Sequence, residues 1–210
     1  MDLRERLLQR LAETGPPADL LAEARLGATR DVPPELRPTG PRRPAAVLVP
    51  VVNHGAEPGL LLTCRTDHLP DHPGQICFPG GSLESQDRDV TAAALRETRE
   101  EIGVGSELID VRGYLRPHLT ITGFAVSPVV GLVAPDYVVS PDPHEVASVF
   151  EMPLAYALDP GNHHREYRSF AGHEIGFWVI QWSDYRIWGA TAAMIVSLSR
   201  LIHEKESGNQ

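Results

Sequence analysis

Three glutamates and an arginine on one short stretch have the spacing to do chemistry together. In FPGGSLESQDRDVTAAALRETREEIGV, residues 78–104, Glu97, Glu100 and Glu101 stand three and four positions apart. On a helix that spacing sends all three carboxylates from one face, beside a stripe formed by Ala94, Leu95, Thr98 and Ile102. Like charges about 4 Å apart repel by roughly 1 kcal/mol in water and roughly 4 kcal/mol where partly shielded, so the cluster stays ionised only beside cations. Arg96 and Arg99 supply part of that compensation, which puts Arg96 among the catalytic candidates. A hard divalent ion, Mg²⁺ or Mn²⁺, supplies more, because it takes carboxylate, carbonyl and phosphate oxygens together. Upstream, two adjacent glycines, Gly80 and Gly81, let the backbone turn sharply and bring an amide or carbonyl close to a ligand. By itself an Arg-Glu-X-X-Glu-Glu string is usually a solvated helix face. Its coupling to the double glycine before it and to Ile-Gly-Val after it, at fixed distances, gives it chemical meaning.

The elements that position these residues are legible around them. Asp89 can cap a helix over 89–102 and Gly103 can end it. Before it, AAVLVPVV (45–52) and GLLLTCR (59–65) are β-rich runs split by Asn53-His54-Gly55, and read as paired strands. After it come two more strands, Leu108–Leu115 and Phe124–Val133. Residues 167–182 alternate as a hairpin around Gly172, and a long helix is expected from Ile187 to about Glu206. At the N-terminus, Leu3, Leu7, Leu8 and Leu11 predict an amphipathic helix over 2–13, stopped by Gly15-Pro16-Pro17, with a shorter helix around 18–26. Five prolines between Asp31 and Pro44 exclude a regular element there. The expected organisation is an N-terminal helix and Pro-rich extended segment over 1–44, then one domain over 45–206.

Composition sets the outer bounds. A chain of 210 residues with 42% hydrophobic content can bury one sizeable core. No apolar run spans a bilayer and MDLRERLLQRLAE is charged, so a cytoplasmic protein without membrane partners is expected. The formal charge of −9, with scattered arginines, argues against nucleic acid and leaves a small anionic substrate in need of a metal. Cys64 and Cys77 lie in apolar segments without metal-ligand spacing and read as reduced, buried thiols. His118, His163 and His164 fall in expected loops and read as exposed, not zinc ligands. Trp188, Met194 and Phe124 read as core.

The stretch 78–104 resembles the Nudix box: Gly, five residues, Glu, seven residues, then Arg-Glu-apolar-X-Glu-Glu-X-Gly-apolar. Two departures are visible. The first acid, counted from Gly81, is Asp87 with eight residues before Arg96, and Thr98 takes an apolar place. The one-residue insertion is what the coenzyme A pyrophosphatase branch looks like. That branch carries a second signature, which LLTCRTDHLPDHPGQICFPGG (61–81) matches at Leu61, Leu62, Thr63, Arg65, Gly74 and Phe78 to Gly81; Thr66 stands for Ser/Ala and Pro70 for a second arginine. The resemblance extends over roughly residues 45–200. It implies a Nudix α/β/α sandwich, a mixed sheet between helices, within the α+β class. It also implies that Glu97, Glu100, Glu101 and the Gly81 carbonyl hold Mg²⁺ or Mn²⁺ against a pyrophosphate, and that water attacks in line. The substrate implied is nucleotide-like, coenzyme A first, giving 3′-phosphoadenosine 5′-phosphate and 4′-phosphopantetheine. For the general base the candidates are Glu145, in the polar loop PDPHEV, and Glu97. Arg65 either binds a substrate phosphate or pairs with a nearby carboxylate. The N-terminal helix and Pro-rich segment are the candidates for a homodimer contact. Two other readings stay open: a Nudix hydrolase for ADP-ribose, NADH or another nucleoside diphosphate derivative, and a non-catalytic Nudix ligand sensor.

Overall fold

Val47, Val49 and Val51 alternate with Ala46, Leu48 and Val52 along β1 (Arg43–Val52), so the strand has no polar face and must be covered on both sides. In the computed structural model, which describes residues 2–26, 40–69, 73–170 and 172–203, that is its position. β1 lies at the centre of a mixed sheet of eight strands ordered β3-β2-β1-β7-β5, with β2 (Gly59–Arg65), β3 (Ile76–Cys77), β5 (Ile109–Tyr114) and β7 (Phe124–Val133). Three further strands join it: β4 (Gly80–Ser82) on β1, β6 (His118–Leu119) on β7 and β8 (Val146–Pro153) on β2.

β1 and β2 pair, antiparallel, as expected, but over a short stretch. Only Val51 and Val52 pair with Leu60 and Gly59, after which β2 diverges. All ten residues of β1 instead run parallel to β7. The strand runs were readable from their composition, but a parallel partner about eighty residues away leaves no local mark. β3 and β4 fill the gap that opens between β1 and β2, and thereby carry Gly80 and Gly81 into the sheet.

One face of the sheet packs on α3 (Val90–Ile102) through Ala46, Leu48, Leu61, Val90, Ala93, Ala94, Ile102 and Val129. The other face packs on α1 (Leu3–Leu11), α4 (Leu154–Leu158), α5 (Ala190–His203) and the second sheet described below, through Leu7, Leu11, Leu60, Leu62, Phe78, Ile180, Ile195 and Leu198. The result is an α+β sandwich, with a mixed sheet between helical layers. α1 is closed by a capping box between Asp2 and Glu5, and a bond from Arg4 Nε to Asn53 Oδ1 at 2.9 Å ties it to the β1–β2 turn. The short helix expected near 18–26 is α2 (Leu20–Leu26). The stretch 27–39, most of the Pro-rich segment, lies outside the described residues, as does Pro70.

The hairpin around Gly172 is present as β9 (His164–Phe170) and β10 (His173–Trp182), joined by β11 (Tyr185–Trp188) into a three-stranded sheet. β11 corrects the helix expected from Ile187. That residue is fully buried as the strand partner of Ile180, and Gly189, at φ 66°, turns the chain before α5 begins at Ala190. The apolar spacing of the helix simply continued backwards into a buried strand. No helix among the described residues is long and apolar enough to cross a membrane.

Candidate functional site

The helix that carries the three glutamates is defined at both ends by the residues that the sequence pointed to. Asp89 accepts from Ala92 N at 2.8 Å, and Gly103 ends α3 in the left-handed conformation at φ 74°. The carboxylates do not share one environment. Glu101 is 4% exposed, Glu97 is half-buried and Glu100 lies in solvent, so the three grade from core to surface. The buried face of the helix is Val90, Ala93, Ala94, Thr98, Glu101 and Ile102, with Leu95 only half-buried. Thr98 fills its apolar place because its hydroxyl donates to Ala94 O of its own helix at 2.7 Å.

Glu101 is the most perturbed group. Burial pushes its carboxyl up to about 8, with repulsion from Glu145 and Glu97 adding to the effect; a bond from the Gly80 backbone and the charge of Arg65 work the other way. Its Oε2 is buried with no hydrogen-bond partner. Burial also raises Glu97, and Glu100 and Glu145 repel it. Glu100 and Glu101 stand in the last turn of α3, where the helix dipole is negative, a further reason for a cation.

Arg96 organises the surface half of the site. Its guanidinium donates to Asp87 through Nε and Nη2 at 3.0 and 2.9 Å, to Glu97 at 2.9 Å, to Glu100 at 2.8 Å and to Ser82 O at 3.1 Å. The bonds from Arg96 hold the Asp87 carboxyl below the usual carboxylate range. The inserted residue of the box therefore does not displace its first acid, which still reaches the arginine. No three His, Cys, Asp or Glu side chains among the described residues converge tightly enough, as they stand, to hold a metal ion. The donor set nonetheless suits a hard cation, since the Glu101 Oε2 is orphaned and burial raises Glu97 even with Arg96 bonded to it.

The double glycine stands against these carboxylates. A Cβ on Gly81 would collide with the Glu97 carboxylate, and one on Gly80, at φ 158°, with the backbone of Ala46 and Val47. Arg65 ends β2 close enough to Glu101 and Cys77 to favour their charged forms, while its own Nε is buried without a partner. Glu145 lies in the turn before β8. That segment is bonded to the C-terminal end of α3 by Ser140 N to Ile102 O at 2.8 Å and Asp142 N to Glu101 O at 2.9 Å.

Glu97, Glu101, Arg65, Glu145, Gly80 and Gly81 thus lie together, with Arg96 and Glu100 on the solvent side. Sequence reading gave no site role to Asp87, whose only signal was its offset within the box, nor to the loop bonds that position Glu145, which leave no sequence pattern. The histidine reading needs correction: His118 lies in β6 and is half-buried, with burial lowering its pKa, and His163 is half-buried and bonded to Ala157 O at 2.8 Å. His164 is exposed as expected, though it begins β9. Both cysteines are free but only half-buried. Met194 is in the core as expected, whereas Phe124 and Trp188 are half-buried beneath the guanidinium groups of Arg43 and of Arg168 and Arg186.

A family model described as the NUDIX domain matches residues 41–173. Over 164 residues the chain is 44% identical to a protein from Enterobacter sp. (strain 638) named "Uncharacterized Nudix hydrolase NudL", covering 78% of this chain and 85% of that protein. The protein of the same name from Cronobacter sakazakii is 46% identical over 164 residues, with the same coverage. Among solved structures, a C. elegans Ap4A hydrolase in a binary complex aligns with a TM-score of 0.47 and 21% identity over 53% of this chain and 80% of that one, a likeness too distant to bear on substrate. The box residues on α3, the glycine strand facing them and a family match over more than half the sequence agree, and the chain belongs to the Nudix hydrolase family.

Proposed function

We propose that the protein is a divalent-metal-dependent pyrophosphatase whose substrate is coenzyme A or a derivative, cleaved to 3′-phosphoadenosine 5′-phosphate and 4′-phosphopantetheine. The observation that carries the chemistry is Glu101, a buried carboxylate with one oxygen held by the Gly80 amide and the other unpartnered, beside a second raised carboxylate. Glu97, Glu100, Glu101 and the Gly81 carbonyl are the groups that would hold Mg²⁺ or Mn²⁺. Bound there, such an ion would neutralise pyrophosphate oxygens and lower the pKa of the attacking water. Glu145 takes the proton from that water as its oxygen bonds to phosphorus and the bridging P–O bond breaks in line; Glu97 is the competing base. Arg96 holds Glu97 and Glu100 in place, and Arg65 meets a phosphate oxygen. Gly80 and Gly81 leave the backbone open to the substrate.

The choice of coenzyme A rests on the resemblance of segment 61–81 and on the inserted residue in the box. Pro70, in the place of that signature's second arginine, favours a second reading in which ADP-ribose, NADH or another nucleoside diphosphate derivative is cleaved. Retention of all three box glutamates weighs against a non-catalytic sensor. Purified protein with Mg²⁺ or Mn²⁺, given coenzyme A, ADP-ribose and NADH separately, is expected to release 3′-phosphoadenosine 5′-phosphate from coenzyme A, with Glu101→Gln inactive. Cleavage of ADP-ribose or NADH alone moves the assignment to the second reading, and no turnover of any of them moves it to a sensor.

A further inference from the structure

Thr66 follows β2 directly and is buried. Its backbone N–H donates to Glu145 O at 3.0 Å, and its Oγ1 donates to His144 O at 3.0 Å. The only other polar atom near the hydroxyl among the described residues is His68 Nε2, at 3.5 Å. A register shift between Cys64 and Arg65 sets Arg65 opposite Val146, which leaves Thr66 level with the Glu145–His144 turn and not paired along β8. The same turn is bonded internally, by His144 N to Asp142 Oδ1 at 2.9 Å and Val146 N to Asp142 O at 2.8 Å.

From this geometry we infer that Thr66 is a positioning residue which fixes Glu145 over the carboxylates of α3. The inference rests on the assignment of Glu145 as general base. The Glu145 side chain is exposed and has no hydrogen-bond or ion-pair partner among the described residues, so its place is set by its main chain alone. Two anchors hold that main chain: the bonds from Ser140 and Asp142 to the end of α3, and the pair from Thr66. Only the second includes the carbonyl of Glu145 itself. A serine at this position keeps the hydroxyl bond, and an alanine or valine does not.

The test compares Thr66→Val, Thr66→Ser, Glu145→Gln and the Thr66→Val/Glu145→Gln double variant. Each is assayed with Mn²⁺ on whichever of coenzyme A, ADP-ribose and NADH the parent cleaves, with thermal melts of all four. Thr66→Val keeps branching and N–H and loses only the hydroxyl bond. It is expected to lower kcat about 10- to 100-fold with KM within about twofold, as loss of orientation does. Thr66→Ser should restore kcat to within about threefold of the parent. In the Glu145→Gln background, Thr66→Val should cost nothing further, because the group it positions is gone. Parental kcat in Thr66→Val, failure of serine to rescue, or a full additional loss in the double variant overturns the inference while the base assignment stands. Parental kcat in Glu145→Gln overturns both, and a parent inactive on all three substrates overturns the proposed activity and the inference with it.

Discussion

Replacing Glu101 by Gln should destroy activity and at the same time stabilise the metal-free protein, by an amount that depends on pH. Glu101 keeps its proton to about 8 in the folded chain, whereas an unfolded glutamate loses it near ~4.3. Between those values the native state binds more protons than the unfolded state, so stability falls as pH rises. At 1.36 kcal/mol per pH decade, the carboxylate costs the native state of the order of 4 kcal/mol by pH 8 and nearly nothing at pH 4.5. Glutamine has the same shape, can accept the Gly80 N–H and cannot ionise. The stability difference between variant and parent, measured by urea unfolding in EDTA at half-unit steps from pH 5 to 8.5, should therefore grow steadily in favour of the variant. Mg²⁺ or Mn²⁺ should narrow that difference at pH 8, since at about 100 times Kd a ligand adds about 2.7 kcal/mol to the parent alone. A difference flat with pH, or a variant weaker than the parent at pH 8 in EDTA, would refute the reasoning.

Asp87→Ala removes two charge-assisted bonds to Arg96 from a carboxylate whose side chain is 4% exposed; it should cost about 1.5–3 kcal/mol, read as a fall in Tm of roughly 3–12 °C. Gly81→Ala puts a methyl group against the Glu97 carboxylate and should lower kcat at least about tenfold with a stability loss of about 1–3 kcal/mol, checked by kinetics and denaturant unfolding on one preparation. Thr98→Val removes a hydroxyl that bonds only to its own helix and should change stability by less than about 0.5 kcal/mol with parental kcat. Asp89→Ala removes the N-cap of α3 and should cost about 1 kcal/mol by denaturant unfolding.

What could be read from the sequence was what is written locally. The α3 boundaries followed from Asp89 and Gly103, and the strands from their apolar runs. The three glutamates were identifiable because their spacing belongs to one helix. The grading of those carboxylates from core to solvent was not, because it depends on how α3 rolls against β1 and β4. Asp87 looked misplaced by one residue until the loop from Ser82 brought it back to Arg96. β11 is ambiguous in the sequence because Ile187 fits a helical spacing as well as it fits a strand, and only its pairing with Ile180 decides. The backbone bonds that set Glu145 carry no side-chain signature apart from Thr66, which a single sequence presents as an ordinary residue.

The ten-residue parallel ladder between β1 and β7 has a kinetic consequence. α3 can form early, from its own caps, but the sheet it packs on cannot close until Phe124–Val133 has been made and has found a partner about eighty residues back. Pairings that distant raise contact order and slow folding relative to local hairpins. During synthesis, then, the apolar faces of β1 and β2 wait uncovered while half the chain emerges. Substitutions in β7 should lower the yield of folded protein well before they alter the turnover of the molecules that do fold.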